Sequence, residues 1–137
     1  DGVLMCLARF WAGDAEGQKA CLLRLGFGTA DQHSERSLAK LPSAEAVAAH
    51  HGLILAPMAH HERFNFSRWS VHDDLRAFLS KNMNFIHLIP PPDLILYLRV
   101  IAGIKGTLSQ IDTGVNIREI AEKCCERRGI IGACPKN

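Results

Sequence analysis

The chain has 137 residues, 47% of them hydrophobic and 22% charged, and carries a formal net charge of +2. That length and balance fit one globular domain able to bury its own core, and they exclude wholesale disorder. The charge is too small for a nucleic-acid footprint, and no Lys/Arg run alternates with aromatics as a single-strand platform requires.

Aromatic content is low and β-branched runs are scarce. Leu, Ala, Ile, Arg and Glu dominate, which favours helices. Five cysteines, Cys6, Cys21, Cys124, Cys125 and Cys134, form an odd set without a Cys-x-x-Cys pair. They read as thiols in a reducing compartment, not as a secreted disulfide frame. No apolar run approaches the ~18–20 residues a membrane span needs, and no signal peptide opens the chain. The expectation is an intracellular protein. The chain starts at Asp1 and enters the apolar segment Val3 to Leu7 at once, which reads as a piece of something longer.

In chain order, Val3 to Trp11 is a short apolar helix end, stopped at Gly13 with Asp14 as the next N-cap. A helix follows from Ala15 to Leu25 and ends at Gly26, with Cys21, Leu22 and Leu25 on one face. Positions 29–43 are polar and read as a loose loop. Ser43 caps a helix through Ala44, Val47, Ala48, His51, Ile54 and Leu55, and Pro57 should end it. Arg63 to Arg68 reads as an extended linker with two aromatic anchors, Phe64 and Phe66. Ser70 to Asp73 has the form of a capping box, followed by Val71, Leu75, Phe78 and Leu79 on one apolar face.

Pro90-Pro91-Pro92-Asp93 is the strongest punctuation in the chain. A long helix runs from Asp93 to about Gln110, with Leu94, Leu98, Ile101 and Leu108 as its stripe. Gly103 and Gly106 each cost ~1 kcal/mol of helix propensity against Ala, which makes sense if another helix packs closely there. Asn116 caps a last helix through Ile117, Ile120, Ala121, Cys124 and Cys125, with Gly129 as its stop. Cys124 falls on that stripe, so core packing is its expected role. The basic cluster Lys123, Arg127 and Arg128 complements that helix's C-terminal dipole. The fold class is therefore all-α, five to six helices in one domain spanning 1–137, with no convincing strand pair.

Three motifs tempt a chemical reading. Ile111-Asp112-Thr113-Gly114 matches the aspartic-protease signature, but that fold is nearly all β; a turn between two helices explains the same residues. Gly26-Phe27-Gly28 resembles a kinase Asp-Phe-Gly without its metal-binding Asp. A glycine cap before a buried Phe accounts for it. The seven histidines include the pairs His50-His51 and His60-His61. Helix neighbours point about 100° apart, and no spacing matches a closed zinc site. They read as surface or loop residues, except His51, which falls on an apolar stripe and reads as a hydrogen-bonded core residue. No Gly-x-Ser-x-Gly elbow and no Walker A loop occurs.

The order Phe64-Asn65-Phe66, a capped helix, Ile89-Pro90-Pro91-Pro92-Asp93-Leu94, Leu98-Arg99, then Gly103 and Gly106 resembles the C-terminal part of the AarF/UbiB family, the ABC-one atypical kinases. Ile111-Asp112 and Asn116-Ile117 resemble its closing segment, and Gly13-Asp14 through Leu25-Gly26-Phe27 the helices after its metal-binding loop. The resemblance covers most of the chain, is most specific from Ile89 to Gly106, and is thinnest from Thr29 to Ser43.

This resemblance implies the end of a protein-kinase-like helical lobe, in a parent that binds ATP with Mg²⁺ and supports ubiquinone or related prenyl-lipid biosynthesis at a membrane. The parent's activity is kinase-like phosphorylation or ATP hydrolysis. Lys-x-Gly-Gln, the nucleotide loop, the phosphate-pairing lysine, the catalytic Asp and Asn, and Asp-Phe-Gly are all absent here and would lie upstream of Asp1. So the resemblance transfers no catalytic, cofactor-binding or metal residue onto this chain. Asp93 and Arg99 match family-like positions, with helix capping and ion pairing as their roles. The implied partners are the upstream remainder of the lobe, ubiquinone-biosynthesis proteins and membrane lipid. No basic amphipathic helix suited to bind a lipid surface by itself is present. The alternative is a stand-alone helical interaction module without enzymatic activity.

Overall fold

The computed structural model describes residues 1–28, 41–111 and 114–130. Among them are six α-helices: α1 (Gly2–Trp11), α2 (Ala15–Arg24), α3 (Ala44–Ile54), α4 (Val71–Lys81), α5 (Pro92–Gln110) and α6 (Ile117–Arg127). Single 3-10 turns follow α3 (Ala56–Met58), precede α4 (Phe66–Arg68) and follow α4 (Met83–His87). The all-α expectation holds. Most of the loop expected at 29–43 lies outside the described residues.

The helix boundaries follow from local chemistry. Asp14 Oδ1 accepts from the Gly17 amide at 2.8 Å, Ser43 Oγ from Ala46 at 3.2 Å, and Asn116 Oδ1 from Glu119 at 3.1 Å. Each satisfies an amide that the first helical turn leaves without a partner. Helices α1, α2 and α6 end in one way. Gly13, Gly26 and Gly129 take φ of 66°, 91° and 65°, where a side chain is disfavoured. Their amides donate to the carbonyls of Phe10, Leu23 and Glu126; the next residues, Asp14, Phe27 and Ile130, donate to Arg9, Leu22 and Cys125. These paired bonds are the Schellman arrangement.

Ser70 departs from expectation, because its side chain makes no cap hydrogen bond. Its carbonyl instead accepts from the Asp73 amide at 3.1 Å. A capping box needs a Glu or Gln at the third helical position to reach back, and Asp73 is one methylene shorter than Glu.

A core of buried apolar side chains joins α1, α2, α3 and α6. Cys6, Leu7 and Ala8 come from α1, Cys21 and Leu22 from α2, Ala44 and Val47 from α3, and Ala121 and Cys125 from α6. Helix α2 lies between α1 and α3, while α6 closes against α1 and the Ala56–Met58 turn. Burying each Val or Leu here contributes roughly 1.5–3 kcal/mol. Burial and the neighbouring Cys21 push the Cys6 thiol up to about 12, so it packs as a small protonated group. On α6 the expected stripe is rotated. Cys125 is buried and Cys124 exposed, and Ile120 is exposed where Ala121 is buried. The two buried residues of α6, Ala121 and Cys125, are small, and α6 sits close to α1. The Sγ of Cys125 lies 3.9 Å from the Leu4 carbonyl.

The segment read as a linker forms half of a two-residue strand pair, a correction to the strand-free expectation. Strand β1 (Phe64–Asn65) pairs antiparallel with β2 (Gly114–Val115), Phe64 opposite Val115 and Asn65 opposite Gly114. A Cβ at Gly114 would stand 2.7 Å from Arg63 Cβ and 3.3 Å from its carbonyl carbon. Gly114, the last residue of the protease-like motif, therefore serves close strand approach. Gly28 and Ile89 form a second, isolated bridge, exchanging backbone hydrogen bonds of 3.3 and 2.8 Å. It ties the end of α2 to the entry of α5.

Candidate functional site

Helix α5 is the longest element among the described residues, and its described side chains are the least covered. Leu96, Val100 and Ile104 are 65%, 59% and 50% exposed. At spacings of four they form one row on the helix. Gly103 and Gly106 continue this open surface, and a Cβ built at either meets nothing within 4 Å. The helix expected to pack at these glycines is not among the described residues of this chain. Thr107 and Ser109 donate to the carbonyls of Gly103 and Gly106 at 3.2 and 2.8 Å. Of the expected inner stripe, Ile101 is partly exposed and Leu108 half-buried; the side chains of Leu94 and Leu98 lie outside the description. Arg99 is exposed and, among the described residues, makes none of the ion pairs expected of it.

What holds α5 is the Phe66–Arg68 turn. Phe66 is buried, and Phe64, Phe66 and Trp69 meet edge-to-face with centroids 5.2–5.9 Å apart. Such contacts add about 0.5–1.5 kcal/mol per pair beyond area burial. Lys105 reaches from α5 to place its ammonium 5.5 Å from the Trp69 ring centre. The two aromatic anchors expected at 64 and 66 are thus present, joined by Trp69.

Beside this cluster runs a surface groove in two parts, of about 270 and 430 Å³, both floored by Gly52, Ala56 and Phe64. Glu62 and Arg63 line the first, Arg68 and Asp74 the second. Both signs of charge are present in each part, so charge selects no ligand.

The histidine pairs divide sharply. His60 and His61 lie in an exposed loop, as expected. His51 is buried, with Nδ1 2.9 Å from Gln18 Oε1, as its place on the stripe indicated. His50 was read as a surface residue; it instead packs between Phe85 and Phe78, ring centroids at 4.9 and 5.8 Å. Its Nδ1 is buried without a hydrogen-bond partner among the described residues. Desolvation, then the charge of His51, push the His50 imidazole down to about 4; burial also lowers His51.

Arg118 went unremarked in the sequence. Its guanidinium lies 4.3 Å from the Trp11 ring centre, donates to the Ala59 carbonyl at 2.9 Å, and pairs with Glu122 at 2.6 Å. Trp11 Nε1 in turn donates to the Met58 carbonyl at 2.8 Å. Only the Glu122 pair, four residues on, was visible as a spacing.

Among the described residues no group of three His, Cys, Asp or Glu side chains could hold a metal ion. No helix among them is long and apolar enough to cross a membrane. Asp112 and Thr113 lie outside the described residues, and the helical architecture around them is unlike the nearly all-β protease fold. Gly26-Phe27-Gly28 is the end of α2, with Phe27 half-buried as the residue after the capping glycine. No protein-family model, no curated protein and no solved structure matches this chain.

Proposed function

We propose that the chain is a helical docking module whose α5 presents an apolar face to another helical surface. The observation that carries this reading is the uncovered row Leu96, Val100 and Ile104 beside two unobstructed glycines. Large exposed apolar patches mark interaction sites more often than idle surface. In the reading that the resemblance supports, that surface is the upstream remainder of an AarF/UbiB-like atypical kinase or ATPase. The chain then braces the active site from behind, while ATP, Mg²⁺ and the ubiquinone-linked chemistry belong to the parent. Support for that identity comes from Ile89 to Gly106, the same stretch that forms the exposed helix and its entry.

Replacing Leu96, Val100 and Ile104 together by Lys tests the docking role. Circular dichroism should keep its helical signal, and binding of an apolar dye to the isolated chain should fall. A collapse of the helical signal would show that the row is internal packing and sink the reading. Sequencing the reading frame upstream of the Asp1 codon tests the identity. A frame that continues into Lys-x-Gly-Gln and Asp-Phe-Gly supports the kinase-like parent. A stop codon followed by a start site leaves the free interaction module.

A further inference from the structure

We infer that His50 is an acid-operated latch: neutral, it holds α4 and the Met83–His87 turn against α3; protonated, it releases them. The argument starts from position. His50 projects from α3 into a slot made by Phe78 of α4 and Phe85 of the following turn. The two phenylalanines also meet each other edge-to-face, at 5.1 Å. Three rings from three elements thus form one contact, and the histidine is its only titratable member.

A neutral imidazole suits this slot. It packs as a flat, mostly apolar ring, with its proton on Nε2 and Nδ1 bare. A charged imidazolium does not. Both nitrogens then carry N–H, and the buried Nδ1–H has no acceptor among the described residues. A charge half-buried against two phenylalanines together with an unmade buried donor disfavours the docked state.

The adjacent His51 provides the contrast. With Gln18 Oε1 as acceptor, its Nδ1 donates in the neutral and the charged form alike. Protonating His51 therefore preserves its hydrogen bond to α2, whereas protonating His50 strands a donor. Among the described residues no carboxylate is placed to rescue the charge. On α4, His72, Asp73, Asp74, Arg76 and Lys81 are exposed to solvent, as is His87 of the turn. On α3 the remaining ionisable groups are Glu45, exposed at the opposite end, and His51, whose charge opposes protonation of His50.

The direction of the pH effect follows from linkage. The His50 pKa is about 4 when docked and 6.5 when free. The released state therefore binds the proton more tightly between those values. Docking is fully favoured above pH 6.5 and loses ground as pH falls towards 4. In that window the release equilibrium rises roughly tenfold per pH unit. The α1–α2 pair contains no histidine, so release is local. Helix α5 stays tied through the Gly28–Ile89 bridge and the Lys105–Trp69 contact.

Hydrogen exchange of the chain, corrected for intrinsic rates, tests the latch at pH 7.5 and 5.5. Opening of peptides covering 71–88 should rise about tenfold at the lower pH, with no such rise in peptides covering 2–24. His50→Phe, which keeps a flat ring, should abolish the rise. A uniform increase over all peptides, no increase, or an unchanged response in His50→Phe would overturn the proposal. If His50→Phe does not fold, the unsubstituted chain still decides by NMR. The His50 ring and the Phe85 ring should titrate together, with a midpoint below 6.5, between the docked and the free value. A midpoint of 6.5 or above, or a Phe85 ring that ignores it, refutes the latch.

Discussion

Helices α1, α2, α3 and α6 bury one face each, whereas α5, nearly twice as long, leaves most of its described apolar side chains in solvent. The first group is held by small and medium side chains at close quarters: Cys6, Ala8, Cys21, Ala44, Val47, Ala121 and Cys125. The second is moored at one aromatic cluster and one isolated backbone bridge. Burial there is sparse although the sequence of α5 is more hydrophobic than that of α2 or α6. Apolar content thus gauges how much surface seeks cover, and says nothing of whether the cover lies in the same chain.

The largest expected effect comes from the covered half. Leu22→Ala on α2 removes a buried side chain at the junction of α1 and α3, and should destabilise by about 2–5 kcal/mol. Chemical denaturation read by circular dichroism measures it. A loss below about 0.5 kcal/mol, the range of ordinary surface changes, would mean that α2 is not the centre of the core.

Arg118→Ala comes next. It removes the stacking on Trp11 and the charge-assisted bond to the Ala59 carbonyl, and leaves Glu122 with the exposed His61 at 3.5 Å. Hydrogen bonds to charged groups contribute ~1.5–3 kcal/mol, so a loss of about 2 kcal/mol is expected. Arg118→Lys should recover only part of it, because an ammonium cannot stack flat and bond in two directions. Full recovery by Lys would show that charge alone matters at this joint, and the contrast between a tightly built α6 and a loosely moored α5 would weaken.

What the sequence discloses separates along the same division. The ends of α1, α2, α3 and α6 were legible because capping is a matter of a few consecutive residues: Asp14, Ser43 and Asn116 at the starts, Gly13, Gly26 and Gly129 at the stops. The hydrogen-bonded His51 was legible from its stripe. The strand pair was not, since two residues carry no alternation and the partner lies some fifty positions away. The exposure of Cys124 was not legible, because it differs from its buried neighbour Cys125 by only about 100° of rotation around the helix. His50 and Arg118 act through Phe85, Trp11 and Ala59, distant partners that no local spacing announces. The exposed row on α5 carries the proposed docking role, and it was not legible for the same reason: the period of the helix identifies a helix, but not a covering surface.

Gly103→Ala is the smallest expected effect and the sharpest test of that row. In the chain by itself the new methyl meets nothing within 4 Å. An exposed Gly in a helix interior costs about 0.5–1 kcal/mol against Ala, so the substitution should stabilise the isolated chain by that amount. Thermal unfolding would report a modest rise in Tm. Against a docked helical surface the sign reverses, because the methyl would occupy space that close helix approach requires. An isolated chain destabilised by Gly103→Ala would mean that α5 is already covered, and the docking face would have to be sought elsewhere. Stabilisation in isolation combined with weakened association is the result that only an open helix awaiting a close partner gives.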